Sequence, residues 1–291
     1  AARQRAVIAR AMAPVWEANH VWLVLVVVIL FVGFPRAFAA LSIALHIPLT
    51  LMLIGIVLRG SAFTFRAYDP DAGGLGTRPA SRRQRRFSLT FAVASLVTPV
   101  MLGICVGAVA SGKVVTLDGR PGNFFDSWTG SFPLLLGLFT LALFAFLAAT
   151  YLTLETDEAD LQEDFRLRAL LSAGVAGLLA WTCLGLAREQ APDLQLPLAI
   201  QWLTGATALG AVLALLRRRY PLARALAVLQ VACILWGWGL AQFPYILPPS
   251  LTFLAAASPP AVQRLLLGAL ALGAAVVLPS FVYLYRIFKQ R

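Results

Sequence analysis

Long apolar stretches separated by short polar segments dominate this chain. Eight stretches reach or approach the roughly 20 residues that a helix needs to cross a bilayer. They predict membrane helices at residues 15–34, 37–58, 87–110, 132–153, 169–187, 198–216, 225–243 and 261–285. The segments between them are too short for a soluble domain. The pattern therefore predicts an all-α membrane protein, a polytopic helical bundle with eight transmembrane helices.

Composition and charge agree with this fold class. Of the 291 residues, 60% are hydrophobic and only 13% are charged, which is more apolar than a soluble domain. With an even number of spans both termini lie on one side, and 19 of the 24 Lys and Arg residues fall on that side. The positive-inside rule makes this side cytoplasmic. The net charge of +11 then reflects topology and contacts with lipid headgroups, and no nucleic-acid partner is expected.

Metal and thiol chemistry receive little support. Three cysteines lie inside predicted spans, at spacings that fit neither a zinc site nor a disulfide framework: Cys105, Cys183 and Cys233. The two histidines, His20 and His46, have no partner at metal-ligand spacing. Pro48 leaves the Ala44 carbonyl without its helical donor. A neutral His46 bonded to that carbonyl is expected, and a metal-ligand or proton-relay role for His46 is the less favoured alternative. The sequence contains no recognisable phosphate loop or dinucleotide motif.

A polar cluster precedes the first uncharged apolar run, and we call it the polar mouth: Trp16, Glu17, Asn19 and His20. Glu17 lies roughly 26 Å from the following outer turn, which places it at the cytoplasmic edge of an apolar slab about 30 Å thick. Glu17 and His20 share a helix face. Such groups suit proton entry. An interfacial anchor, with Trp at the headgroups and polar side chains bonded to helix-start amides, explains the same residues, so both interpretations stay open.

Arg59 closes the second apolar run. Counted along a straight helix, it lies roughly 37 Å from the outer turn, about 10 Å further toward the cytoplasm than Glu17. Its long side chain would ordinarily extend outward to the headgroups, although it could fold back toward Glu17.

Two further patterns concern packing. Gly103 and Gly107 form a GxxxG pair in the third span, which favours a close helix approach there. The acidic segment 155–164 precedes Arg166 and Arg168. It is predicted to be a solvated helix extension that pairs with nearby arginines.

Residues 14–23 (PVWEANHVWL) resemble the Pro-x-Trp-Asp/Glu-x-Asn-x-Val-Trp-Leu signature of subunit II of cytochrome bd-type quinol oxidases, including the cyanide-insensitive branch. Further similar segments follow in order at residues 34–36, 58–66, 122–125, 149–152 and 243–245. The resemblance implies two four-helix bundles and a peripheral last helix. On this chain the first bundle would cover residues 1–111 without the family's first helix, the second 112–260, and the last helix 261–291. Because residue 1 is Ala, a truncated start is expected.

The resemblance also implies a function. The chain would be subunit II of a quinol:oxygen oxidoreductase in the bacterial cytoplasmic membrane, without an active site of its own. A haem-bearing subunit I would form a heterodimer with it, carry haems b and d, oxidise quinol and reduce oxygen. This chain would hold no metal or haem, although the resemblance allows a structural quinone. Cytoplasmic protons would pass through a route that includes Glu17, Asn19, His20 and Arg59. Packing motif positions would be Trp16, Trp22, Arg66 and Asn123.

Two other functions remain open from the residues. A secondary transporter would favour broken helices, charges near the midplane and repeated halves, and here only His46 and the prolines inside spans fit. A purely structural subunit would have no proton role, and substitution of Glu17 separates it from the proton-route hypothesis.

Overall fold

The computed structural model describes residues 2–67, 82–114, 125–191, 194 and 196–289. Within these ranges it leaves out the side chains of residues 12–21, of 66–67 and of several near the two ends. This part of the chain contains ten helices and one two-stranded hairpin: α1 (Ala2–Gly33), α2 (Pro35–Ala44), α3 (His46–Ala67), α4 (Arg82–Ala110), α5 (Ser131–Leu152), α6 (Ala159–Gln190), α7 (Leu198–Leu216), α8 (Tyr220–Gln242), β1 (Tyr245–Leu247), β2 (Leu251–Thr252), α9 (Phe253–Ala256) and α10 (Pro260–Lys289).

The observed helices confirm the predicted fold class. Among the described residues, seven helices are long and apolar enough to cross a membrane. The bent pair Trp22–Gly33 and Pro35–Ala44 raises the number to eight if it is counted as one span. Every predicted span falls on an observed helix, although α1 and α6 begin 13 and 10 residues earlier than predicted (15 − 2 and 169 − 159). The protein is therefore an all-α, multi-span membrane protein.

The second predicted span is wrong as one continuous helix. It falls on most of α2 and the first part of α3, which meet at Leu45 (φ −113°, ψ 19°). Pro48 has no N–H for the Ala44 carbonyl, which weakens the helix at that point. At the other end of α2, Pro35 occupies the first helical turn, a position that suits proline. The chain bends there by 116° from α1 to α2.

Consecutive antiparallel helices form the body of the molecule: α3 packs on α4, α4 on α5, α5 on α6, and α7 on α8. We call the end where α1, α4, α6 and α8 begin the Arg-rich face. Near this face the core of the α5–α8 half contains Phe146, Leu215 and Tyr220. At the opposite end a second core lies under the hairpin and contains Val114, Leu247 and Leu251.

The sequence patterns do not predict the hairpin that follows α8. Strands β1 and β2 pair antiparallel, with Tyr245 opposite Thr252. Phe243 is exposed, as a belt residue would be, and stacks on Phe253 at 6.3 Å between ring centres. The hairpin therefore combines an exposed aromatic side chain with a buried apolar cap.

Helix α10 packs mainly against α1. The Ser258 N–H donates to the Gly33 carbonyl at 2.9 Å, and the rings of Trp22 and Phe281 stack at 6.0 Å. The apolar stretch of α10 is otherwise exposed within this chain. This matches a peripheral last helix, whereas the division into residues 1–111, 112–260 and 261–291 stays a prediction.

Candidate functional site

The polar mouth lies on α1, whose backbone is helical throughout residues 2–33. Helical spacing therefore keeps Glu17 and His20 on one face, as predicted. The side chains of Trp16, Glu17, Asn19 and His20 lie outside the described residues. Their roles consequently stay predictions.

The structure describes the remaining motif positions to different extents. Arg66 belongs to the last turn of α3, but its side chain is outside the described residues, and Asn123 lies outside them altogether. Trp22 is described and 46% exposed. It stacks on Phe281 of α10, and the packing role predicted for it stays a prediction.

A polar clamp holds the start of α1 against the start of α6. The Arg3 guanidinium lies 3.0 Å from the Glu158 carboxylate. The Gln4 amide donates to Asp164 at 2.7 Å and accepts from Arg168 at 3.3 Å. The clamp joins residues more than 150 positions apart in sequence. The side chains of its ion pair are exposed, so the clamp marks where the helix that carries Glu17 meets α6 and contributes little stability.

Arg59 packs against α4 from its position on α3. Its guanidinium carbon is 5.7 Å from the centre of the Phe91 ring, within the range of a cation–π contact. Its Nε is buried and has no hydrogen-bond partner among the described residues. The side chain is half-buried overall. The outward orientation and the orientation toward Glu17 both stay predictions, because the Glu17 side chain lies outside the described residues.

The bend between α1 and α2 changes the depth of Arg59. A straight span would advance about 15 Å over the ten residues of α2, but a 116° bend reduces this to about 7 Å along the α1 axis. Arg59 then lies at most about 29 Å from the outer turn, compared with about 26 Å for Glu17. The difference in depth falls from about 10 Å to about 3 Å.

His46 begins α3 and is exposed within this chain. Its Nδ1 lies 3.2 Å from the Ile43 carbonyl oxygen. The sequence predicted a contact with a backbone carbonyl near Pro48 but named Ala44. The break at Leu45 moves the neighbouring carbonyls, which explains the different partner.

The Arg-rich face also carries an acidic site that the sequence predicted. Glu163, in the first turns of α6, accepts hydrogen bonds from Arg166 and lies 3.4 Å from the Arg218 guanidinium. Arg224 stacks over the Tyr151 ring at 4.1 Å. The segment before the apolar part of α6 is thus a helix extension paired with arginines. No group of three or more His, Cys, Asp or Glu side chains among the described residues could hold a metal ion.

Comparisons with known proteins give the same family description for the family model and for the relatives. A family model described as cytochrome bd terminal oxidase subunit II matches residues 1–288. Cytochrome bd-I ubiquinol oxidase subunit 2 of Escherichia coli (strain K12) is 25% identical over 189 residues, which cover 63% of this chain and 46% of the relative. Cytochrome bd ubiquinol oxidase subunit 2 of Bacillus subtilis (strain 168) is 26% identical over 173 residues, 59% of this chain and 48% of the relative. The matches span about half the length of these relatives.

A solved structure shares the fold. The structure of bd oxidase from Geobacillus thermodenitrificans contains a chain that superposes with a TM-score of 0.73. The identity is 22%, and the alignment covers 97% of this chain and 85% of that one. At this identity the likeness shows a common architecture, not a common substrate.

Proposed function

This chain belongs to the cytochrome bd terminal oxidase subunit II family, and on that premise we propose that it works as the non-haem subunit of a membrane-bound quinol:oxygen oxidoreductase. Its partner is a haem-bearing subunit I, with which it forms a heterodimer in the bacterial cytoplasmic membrane. The two relatives described above are named as subunits of ubiquinol oxidases, which supports a quinol as the electron donor of the complex.

The haems are assigned to the partner subunit. This chain has only two histidines, and the His46 imidazole contacts the Ile43 carbonyl. Haem would supply electron transfer and oxygen binding in subunit I. The contribution of this chain is to support that subunit and to carry protons from the cytoplasm.

The proton role rests on Glu17. Its helix turn lies about 26 Å from the outer turn, so position 17 falls near the inner edge of the apolar slab, where ionisable residues are costly and usually functional. The bend after α1 brings the half-buried Arg59 closer to that depth than a straight span would. An acidic and a basic residue near this edge, with Asn19 and His20 on the same helix as Glu17, support a hydrated entry for protons.

The test uses the intact oxidase complex with Glu17→Ala and the isosteric Glu17→Gln. We expect quinol oxidation to slow at least about tenfold, since positioned proton-transfer groups contribute roughly 10²–10⁴-fold. Haem content and subunit stoichiometry should stay unchanged. Glu17→Asp should retain most of the activity, because it keeps a carboxylate.

Glu155→Gln is the matched control, since it removes an exposed carboxylate near the start of α6 and should leave turnover unchanged. Normal turnover in a fully assembled Glu17→Ala complex would remove the proton role. A purely structural subunit would then be the better description of this chain.

A further inference from the structure

Helices α3 and α4 touch closely enough to exclude a methyl group at one level. A Cβ on Gly55 of α3 would overlap the Thr98 Oγ1 of α4. One turn further along α3, Arg59 lies over the Phe91 ring at 5.7 Å, and Phe63 meets the same ring at 6.4 Å. These contacts define one face of α4, from Phe91 to Thr98, that packs along α3.

Ser95 belongs to this face. It lies four residues after Phe91 and three before Thr98, and residues at these spacings share a helix face. On this face Ser95 lies between Thr98, which is opposite Gly55, and Phe91, which is opposite Arg59. The Ser95 Oγ and the Arg59 Nε are both buried, and neither has a hydrogen-bond partner among the described residues. The α3–α4 contact therefore contains a donor on one helix and a hydroxyl on the other, both unpaired.

A third polar atom lies beside them. Pro99 is inside α4 and has no N–H, so the Ser95 carbonyl has no donor one turn along the helix. A buried polar group without a partner costs about 1–3 kcal/mol. Two such side-chain atoms and a freed carbonyl in the α3–α4 contact supply the two to four polar partners that an internal water needs.

Other hydroxyls in the spans often behave differently, although the Thr150 Oγ1 of α5 also lacks a partner among the described residues. Several donate to the carbonyl four residues back in their own helix, at 2.8–3.2 Å: Thr98, Thr140, Thr182, Thr207 and Ser280. This is the usual way to satisfy a hydroxyl in a membrane helix. The Ser95 hydroxyl makes no such bond, which leaves it available to a group between α3 and α4.

We propose that α3 and α4 enclose a water site shared by Arg59 and Ser95, and that Ser95 is a positioning residue for the Arg59 guanidinium. The water accepts a hydrogen bond from the Arg59 Nε–H and donates to the Ser95 Oγ or carbonyl. The Phe91 ring covers the guanidinium from one side, so the water fixes its remaining rotation. No covalent bond changes in this arrangement.

The site extends the proposed proton route, and this part of the inference rests on the proposed function. A water between Arg59 and Ser95 is the next hydrated point on the route after Glu17. By fixing the Arg59 guanidinium, this water also keeps a positive charge where it would stabilise a nearby carboxylate. Loss of the Ser95 hydroxyl should therefore weaken proton delivery without removing any ionisable group.

The first measurement is a cryo-EM reconstruction of the intact oxidase complex at a resolution that shows ordered water. We expect a water peak within about 2.7–3.2 Å of both the Arg59 Nε and the Ser95 Oγ. A direct bond between the two side chains, or no peak between them, would overturn the water site. This outcome depends on geometry alone, so it is independent of the role of Glu17.

The second measurement compares Ser95→Ala with Ser95→Thr, which restores the hydroxyl, and with Ser280→Ala, whose hydroxyl is already bonded to its own helix. We expect Ser95→Ala to slow turnover about fivefold, as loss of one hydrogen bond would, and to increase the solvent deuterium isotope effect and shift the pH profile. Ser95→Thr should recover most of the rate, and Ser280→Ala should match the parent.

Unchanged turnover and isotope effect in Ser95→Ala would overturn its positioning role. If Glu17→Ala is slow at the same time, the proposed function survives that failure. Normal turnover in Glu17→Ala together with a water peak at Ser95 would instead leave the site in place and remove the proton route.

Discussion

Arg218 shows how one residue can combine a backbone and an electrostatic requirement. It ends α7 in a left-handed conformation with φ 56°, where glycine is the usual residue. The Arg219 N–H donates to the Ala214 carbonyl at 2.8 Å, which closes the turn into α8. The Arg218 guanidinium also lies 3.4 Å from the Glu163 carboxylate of α6. Exposed pairs of this kind contribute little, so the conformational cost is the larger effect.

Arg218→Gly should therefore be more stable than Arg218→Ala. Both variants lose the contact with Glu163, but only glycine relieves the left-handed strain, which is worth about 1 kcal/mol. The thermal midpoints of the two purified complexes in the same detergent measure the difference. Equal midpoints would show that the turn carries no strain.

Close packing at the level of helices depends on small residues. The predicted GxxxG pair of α4 does face α5: a Cβ on Gly103 would lie 2.6 Å from the Leu136 carbonyl oxygen, and one on Gly107 would lie 2.6 Å from the Pro133 Cα. Gly137 of α5 is equally restricted, with 2.8 Å to the Val100 carbonyl oxygen. Backbones approach because side chains are absent from both surfaces, as in other membrane helix pairs.

Gly103→Ala is expected to destabilise the subunit by about 1–3 kcal/mol, because the methyl group must push α5 away. Gly174→Ala on α6 is the matched control, since nothing lies within 4 Å of its Cβ position. Alanine favours the helix over glycine, so that variant should be neutral or slightly stabilised. Stability is measured by thermal unfolding in detergent. A similar loss of stability in both variants would show that alanine acts through the helix that carries it and not through the close α4–α5 contact.

The whole molecule has the surface of a membrane protein. Three tryptophans on neighbouring helices are exposed by more than 70% within this chain: Trp181, Trp202 and Trp236. Such side chains must face lipid or a partner subunit. The charged residues instead gather at the Arg-rich face, which the charge asymmetry predicts to be cytoplasmic.

This orientation can be tested by labelling single introduced cysteines in intact cells. Cys105, Cys183 and Cys233 are all buried, so they should give little background with a membrane-impermeant maleimide. Arg217→Cys, in the exposed turn between α7 and α8, should react only after the cells are opened. Ser250→Cys, exposed in the hairpin turn, should react from outside. The reverse pattern would invert the topology.

Sequence alone identified much of the candidate site but not its surroundings. The run from Trp16 to Trp22 and the position of Arg59 were recognised from residue type and spacing, because a charge beside an apolar run is visible without coordinates. Phe91 and Ser95 were missed. They lie more than 30 positions after Arg59 in sequence, and the Pro99 inside α4 was the one local sign that a carbonyl there lacks its donor.

By itself the sequence determined the all-α class, the apolar runs that form the membrane helices and the end of the molecule at which positive charge gathers. Each of these follows from the transfer of residues between water and lipid, a property of the local run. Only the tertiary structure decided the break at Leu45, the clamp from Arg3 to Glu158, and the contact of Arg59 with α4. These depend on which surfaces meet, and inside a bilayer that choice is made by shape and hydrogen bonding between distant segments, because hydrophobicity favours no helix pair over another.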